Sequence, residues 1–298
     1  MRPQSLLLSL LFTLFVPVAT ASELKVLASI TPIQLIASEV LAGVTVPDVL
    51  LPPGASPHQY SLRPSDVRKV KQADLIFWVG PALERFLEKT LNTTDATVLT
   101  LLEAEDDHDA KNQKDEGHQE HEEHDHGGSD PHIWLDPSHA LEVAEVIRDA
   151  AVKVVPEKQA LIDKNYAEFA TALLEQDKHL MAELAPFHQR GFVVFHDAYS
   201  RFVGHYNLLQ LDAVTVNPSR KAGAKHLSEL REAVIQSKAV CVFSEPQFSP
   251  AILKTITSGT SIRTAELDPL GQKIVPEKGA YLAFLAGFAQ VFKECLQD

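Results

Sequence analysis

Only two of the 298 residues are cysteines, Cys241 and Cys295. Neither has a second Cys or a His at ligand spacing, which argues against a cysteine-held metal centre. In an exported protein an even count usually oxidises. Closing that loop would contribute about 4 kcal/mol in the chain-entropy picture; two free buried thiols are the alternative. Clustered positive charge is missing too. With no basic patch or stripe, nucleic acid is not an expected partner. The motif H-E-x-x-H, which a common class of zinc hydrolases uses, is absent. The N-terminal apolar run LLLSLLFTLFVPV is short and interrupted by Pro17, so it makes a poor membrane span.

That run fits a different purpose. Arg2 precedes it and Ala19-Thr20-Ala21 follows it, the layout of an export signal with an A-x-A cleavage site. Residues 1–21 are therefore expected to be a signal peptide, with a mature start near Ser22. No Cys follows the cleavage site, so no lipid anchor is expected there. The mature protein is expected in the periplasm.

Charge is abundant in one place. Residues 103–126 hold eleven Asp or Glu against two Lys, so this stretch supplies −9 of the net charge of −13. It also carries His108, His118, His121, His124 and His126 and has no apolar period. Imidazoles and carboxylates in a solvated, low-complexity tract read as a metal-collecting segment. At Asp130 the composition changes to DPHIWLDP, where His132 stands beside an apolar triplet.

Elsewhere apolar strands alternate with helices, which argues for parallel α/β sheets. Before the tract, strands are expected near 23–30, 44–51, 73–79 and 98–102, and a helix from Pro81 to about Leu91. After it, they are expected at 191–195, 211–216, 239–243 and 264–267. Between the halves, Ile162, Tyr166, Phe169, Leu173, Leu180 and Leu184 keep helical spacing up to Pro186. Such a helix reads either as a rigid connector or as an ordinary core helix. The expected layout is an N-terminal α/β lobe over 22–155 with a disordered acidic His-rich loop at 103–128. A linking helix over 156–187 and a C-terminal α/β lobe over 188–298 follow.

Four candidate metal ligands stand out by position. His58 follows a Pro-Pro-Gly turn, His132 follows Pro131, His196 ends a β-forming run, and Asp268 follows TAEL. Ligands of open α/β sheets bind beyond the carboxyl ends of the strands. Three imidazoles with one carboxylate or water suit a tetrahedral transition metal. Asp136, Asp197 and Glu245 carry carboxylates near the proposed cleft; Asp197 could orient a metal-bound His or cap the following helix. His139, His179, His188, His205 and His226 are read as structural.

The stretches SPHQYSLRPSD, DPHIWLDP, GFVVFHDAYSRF, AVCVFSEPQF and ELDPLG come in an order that resembles one family across the mature chain. It is the periplasmic zinc-binding component of bacterial ABC-type zinc importers, within the cluster A-I or cluster 9 binding proteins. The resemblance implies two Rossmann-like α/β lobes with parallel sheets, joined by a long rigid helix, with one metal in the cleft. It maps the ligand histidines onto His58, His132 and His196, and pairs Cys241 with Cys295 in the C-terminal lobe. Relatives that take manganese or iron put Glu in place of His196, so the expected cargo is Zn²⁺. Some zinc members have Glu before the first His, where this chain has Pro57, so the fourth position falls to Asp268, water or a tract side chain. The implied function is capture of Zn²⁺ for an inner-membrane ABC permease with a cytoplasmic ATPase, without catalysis. The implied partners extend to a periplasmic zinc chaperone, and the implied state is a monomer. The alternatives are a zinc-dependent hydrolase, and an adhesin or metal buffer on the same fold.

Overall fold

The computed structural model describes residues 24–102, 130–215, 224–246 and 250–297. The expected signal peptide at 1–21 and the tract histidines His108, His118, His121, His124 and His126 lie outside them. The first half begins with β1 (Val26–Ala28), α1 (Thr31–Val40), β2 (Asp48–Val49), α2 (Pro64–Gln72) and β3 (Leu75–Trp78). It continues through α3 (Pro81–Glu84), α4 (Glu88–Leu91), β4 (Thr97–Thr100) and α5 (Pro137–Val154). Then comes α6 (Gln159–Leu184). The second half holds β5 (Phe192–His196), α7 (Ser200–His205), β6 (Gln210–Thr215) and α8 (Ala224–Gln236). It ends with β7 (Cys241–Ser244), α9 (Pro250–Thr257), β8 (Arg263–Glu266) and α10 (Ala280–Leu296).

Each half folds around a parallel four-stranded sheet, ordered β2-β1-β3-β4 and β6-β5-β7-β8. The two orders are the same once each sheet is counted from its own first strand. The strands appear where the alternation placed them, with the first two much shortened, to Val26–Ala28 and Asp48–Val49. In the expected 44–51 run the paired strand begins at Asp48, because Pro47 has no N–H to give a ladder, and Leu50 and Leu51 still donate to the Ala28 and Ser29 carbonyls. None of the helices among the described residues is long and apolar enough to cross a membrane.

Strand side chains alternate between two environments. Val26, Ala28, Leu75 and Phe77 face a large interior shared with Phe192, Val194, Cys241 and Phe243 of the second sheet. Leu27, Ile76 and Trp78 turn the other way onto residues of α2 and α4, and Val193, Phe195 and Val242 onto α8 and α9. The two lobes therefore share one apolar core and keep a smaller one each. Helix α6, 26 residues long and about 39 Å by its rise, runs through the shared core. It packs on α1 and α5 of the first half and on α10 of the second.

Polar contacts fasten the same junction. Asn165 of α6 donates to the carbonyls of Val40 and Ala42 past the end of α1 (3.1 and 2.8 Å). Glu39, buried on α1, accepts from the backbone N–H groups of Gly279 and Tyr281 at the start of α10. A carboxylate at a helix N-terminus satisfies donors that the helix cannot. The disulfide between Cys241 and Cys295 ties β7 to α10, with Cα atoms 5.9 Å apart.

The helix expected from Pro81 to Leu91 is interrupted. Glu84 folds back so that its Oε2 accepts from Val79 N–H (2.8 Å) and Gly80 N–H (3.3 Å). Gly80 is needed there: its φ is +145°, and a Cβ would meet the Leu102 carbonyl oxygen at 2.8 Å. Glu84 is fully buried and its Oε1 has no hydrogen-bond partner. Burial pushes its pKa from 4.5 up to about 7, against the pull of the Ser29 hydroxyl and then of the two amides. Between those values the folded chain keeps a proton that the unfolded chain has released, so stability falls as pH rises through the window. At about 1.4 kcal/mol per unit the loss approaches 3 kcal/mol above pH 7. Glu84→Gln keeps an acceptor for both amides and carries no charge. Urea unfolding at pH 5 and pH 8 is expected to show the variant gaining on the wild type by about that amount. Parallel pH profiles would refute the assignment.

Candidate metal centre

Three chain segments deliver three imidazoles to one place. His58 sits in the loop between β2 and α2, after the Pro52-Pro53-Gly54 turn. That loop is held to the other lobe by Gly54 N–H, which donates to Gln272 Oε1 (2.7 Å). His132 precedes a single 3-10 turn, Ile133–Leu135. The turn is fixed by Trp134, whose Nε1–H reaches the Pro269 carbonyl (2.6 Å) while its own carbonyl accepts from Tyr281 Oη (2.8 Å). His196 is the last residue of β5. Its position at the carboxyl end of a central strand is where open parallel sheets place binding groups.

The ring centroids lie 5.5 Å apart for His58 and His132, and 5.1 Å apart for the other two pairs. One nitrogen from each ring falls within 4.8 Å of the other two. Among the described residues this is the one group of three or more His, Cys, Asp or Glu side chains close enough to hold an ion. Ser56, Pro57, Trp134, Glu245, Pro269 and Leu270 complete the small cavity around it. A tetrahedral zinc ion with Zn–N near 2.05 Å places its nitrogens roughly 3.3 Å apart, so a bound ion would draw the rings inward.

The imidazoles are not equivalent. His132 is buried and its Nδ1 lies 2.6 Å from Asp130 Oδ1. His196 is equally buried, with Nδ1 at 3.2 Å from Glu245 Oε1. That contact is off the line of a good hydrogen bond. Glu245 also accepts from Tyr199 Oη (2.9 Å). Among the described residues His58 has no carboxylate of this kind, and its Nε2 is buried without a hydrogen-bond partner. Burial first, and then the neighbouring His132 and His196, push its pKa down to about 3. An imidazole held neutral with a bare nitrogen is the form that binds a metal. Burial alone would raise the Asp130 pKa. The hydrogen bonds from His132 and Ser200 and the His132 charge outweigh it and hold the carboxyl below its usual range.

Asp268 does not join the imidazoles. Its Oδ1 accepts from Leu270 N–H (3.0 Å) and its Oδ2 from Gln272 N–H (2.9 Å), so the carboxylate closes its own turn. Burial, and more weakly the Glu245 charge, raise its pKa. Asp197 takes neither of the roles expected of it. It is exposed and accepts from Gln210 Nε2 (2.9 Å), and the residue before α7 is Tyr199, without a side-chain cap. Side chains alternate along a strand, so the residue after an inward-facing His196 faces outward. The carboxylates that do touch the ring nitrogens are Asp130 and Glu245. The D-P-H spacing was the available signal for the first; the second was expected near the cleft, but its pairing with His196 shows only once β5 and β7 are paired.

The remaining described histidines stay outside the cluster. His205 lies between Asp177 (Nε2 to Oδ1, 2.8 Å) and Asp136 (Nδ1 to Oδ1, 3.5 Å). His139 contacts Asp136 and Arg201, and His179 is exposed on α6.

The family described as zinc-uptake complex component A, periplasmic, matches residues 26–295. The chain belongs to that family. Two relatives are called high-affinity zinc uptake system protein ZnuA. The one from Yersinia pestis is 38% identical, covering 91% of both chains. The one from Haemophilus ducreyi is 41% identical, covering 94% of this chain and 95% of its own. A solved structure titled as ZnuA shares the fold, with TM-score 0.75 at 23% identity over 92% of this chain and 99% of that one. A laminin-binding adhesin of Streptococcus agalactiae does so too, with TM-score 0.74 at 20% identity over 92% and 100%. The fold of this zinc-uptake family member is therefore shared with an adhesin, and its site rather than its fold distinguishes a function.

Proposed function

We propose that the protein captures Zn²⁺ outside the cytoplasm and delivers it to the membrane permease of an ABC importer driven by a cytoplasmic ATPase. The observation that carries this is the convergence of His58, His132 and His196, with His58 Nε2 buried and unpartnered, in a chain of the zinc-uptake family. Nitrogen-rich sites favour zinc over manganese, which takes more oxygen. Water completes the tetrahedron, because Asp268 is committed to the turn at 270–272. Asp130 and Glu245 face imidazoles rather than a reacting group, so the site is arranged to hold an ion and not to hydrolyse a substrate.

The acidic His-rich tract raises the local metal concentration through weak sites, the export signal sends the protein to the periplasm, and a monomer suffices because one chain supplies all three imidazoles. A periplasmic zinc chaperone would have the same three imidazoles to load. Titration of the metal-stripped protein with zinc against a chromophoric chelator is expected to give one tight site followed by weaker ones. After deletion of residues 103–128 the tight site should remain and the weaker ones should go. Loss of the tight site with the tract would place the function in the tract and overturn the reading.

A further inference from the structure

Asp130 does more than touch a histidine. Its Oδ1 receives both His132 Nδ1 (2.6 Å) and the His132 backbone N–H (3.0 Å). A carboxylate is acceptor only, so a neutral His132 must carry its proton on Nδ1 and leave Nε2 bare. The other oxygen, Oδ2, receives the hydroxyl of Ser200 (2.5 Å). The Asp130 carbonyl receives Nε–H of Arg201 (2.6 Å). Ser200 and Arg201 begin α7, four and five residues beyond His196 on the same segment.

We infer that Asp130 is a positioning residue for metal binding: it sets the His132 tautomer and clasps the His132 turn of one lobe to the His196 segment of the other. The inference rests on the zinc-binding reading of the three imidazoles. The clasp bears on the spacing of two rings that come from different lobes, 5.1 Å apart at their centroids. Partners of this kind fix ring orientation and ligand basicity, and losing one typically weakens metal binding about 10- to 100-fold.

Nuclear magnetic resonance of the ring nitrogens tests the tautomer in the metal-free protein, and zinc titration tests its consequence. In the wild type, His132 is expected to be protonated at Nδ1. Asp130→Ala is expected to shift the ring toward the Nε2–H form and weaken zinc binding about 10- to 100-fold. Asp130→Asn keeps an acceptor without the charge, so it should retain the tautomer and lose less affinity. Ser200→Ala, which leaves His132 its carboxylate but removes the tie to α7, should fall between the wild type and Asp130→Ala. An unchanged tautomer together with unchanged affinity in Asp130→Ala would overturn the inference. If Asp130→Ala fails to fold, Asp130→Asn and Ser200→Ala decide it, and wild-type affinity in both would overturn it. A wild type that binds no zinc tightly would sink the functional reading, while the tautomer measurement would still judge the clasp.

Discussion

His132→Ala is expected to weaken zinc binding by on the order of a hundred- to a thousand-fold. Tetrahedral zinc sites bind with roughly 10–16 kcal/mol shared among four donors. One protein donor is then worth about 2.5–4 kcal/mol, and each 1.4 kcal/mol is tenfold. No described His, Cys, Asp or Glu outside the trio lies within ligand reach of the other two imidazoles. His132 also packs edge-on against Trp134, with centroids 5.3 Å apart, so His132→Gln serves as the control for lost packing. It fills much of the volume and should lose nearly as much affinity. Asp268→Asn should cost under about tenfold, the scale of one disturbed hydrogen bond in its turn. Comparable losses from Asp268→Asn and His132→Ala would make the carboxylate a true ligand and displace water from the fourth position. Near-wild-type affinity in His132→Ala would remove the imidazole trio as the binding site.

The three imidazoles were legible because each stands at a loop or strand end, where open sheets bind. Their order in the chain also matched a known family. The carboxylates were legible only in part: Glu245 could be placed near the cleft, but which carboxylate meets which ring could not. Asp197, the neighbour of His196, looked like its partner, but strand alternation turns it outward, and Glu245 arrives from the adjacent strand instead. The shared core was equally hidden. Helical periodicity gave the apolar stripe of α6 but could not say that both lobes pack on it. Nor did periodicity mark Asn165, whose burial is explained by the carbonyls that it caps.

The matched sheets sharpen where the chemistry sits. Val26 pairs with Leu75 in the first sheet as Phe192 pairs with Cys241 in the second. Counting four residues onward from each, Ile30 corresponds to His196 and Val79 to Glu245. The first lobe thus has apolar residues where the second has an imidazole of the cluster and the carboxylate beside it. It supplies His58 and His132 from loops instead. One lobe presents its imidazole from the sheet itself and the other brings two more on turns. The site therefore depends on how the turns are fastened, by Gly54 to Gln272, by Trp134 to Pro269 and by Asp130 to Ser200.

Replacing Cys241 and Cys295 together by alanine is expected to cost about 4 kcal/mol of stability, the chain-entropy value for a loop of this length. The corresponding fall in melting temperature is roughly 8–16 °C. The loss should come chiefly through the unfolded chain, because other contacts hold the end of α10 in place. Phe292 lies against Phe192 and Phe243, with centroids 5.3 and 4.6 Å apart. Arg190 Nε–H donates to the Leu296 carbonyl (3.0 Å), and Lys293 pairs with Glu183 of α6 (2.8 Å). With the native contacts kept, β7 should still present Glu245 to His196, and zinc affinity should stay near that of the wild type. Zinc stabilises by its affinity and free concentration alone, so the drop in melting temperature should be similar with and without metal. Calorimetry of both forms, with and without a reductant, measures this. A drop under about 1 kcal/mol would show that the crosslink constrains little of the unfolded chain. A tenfold fall in zinc affinity would show instead that it shapes the site through β7.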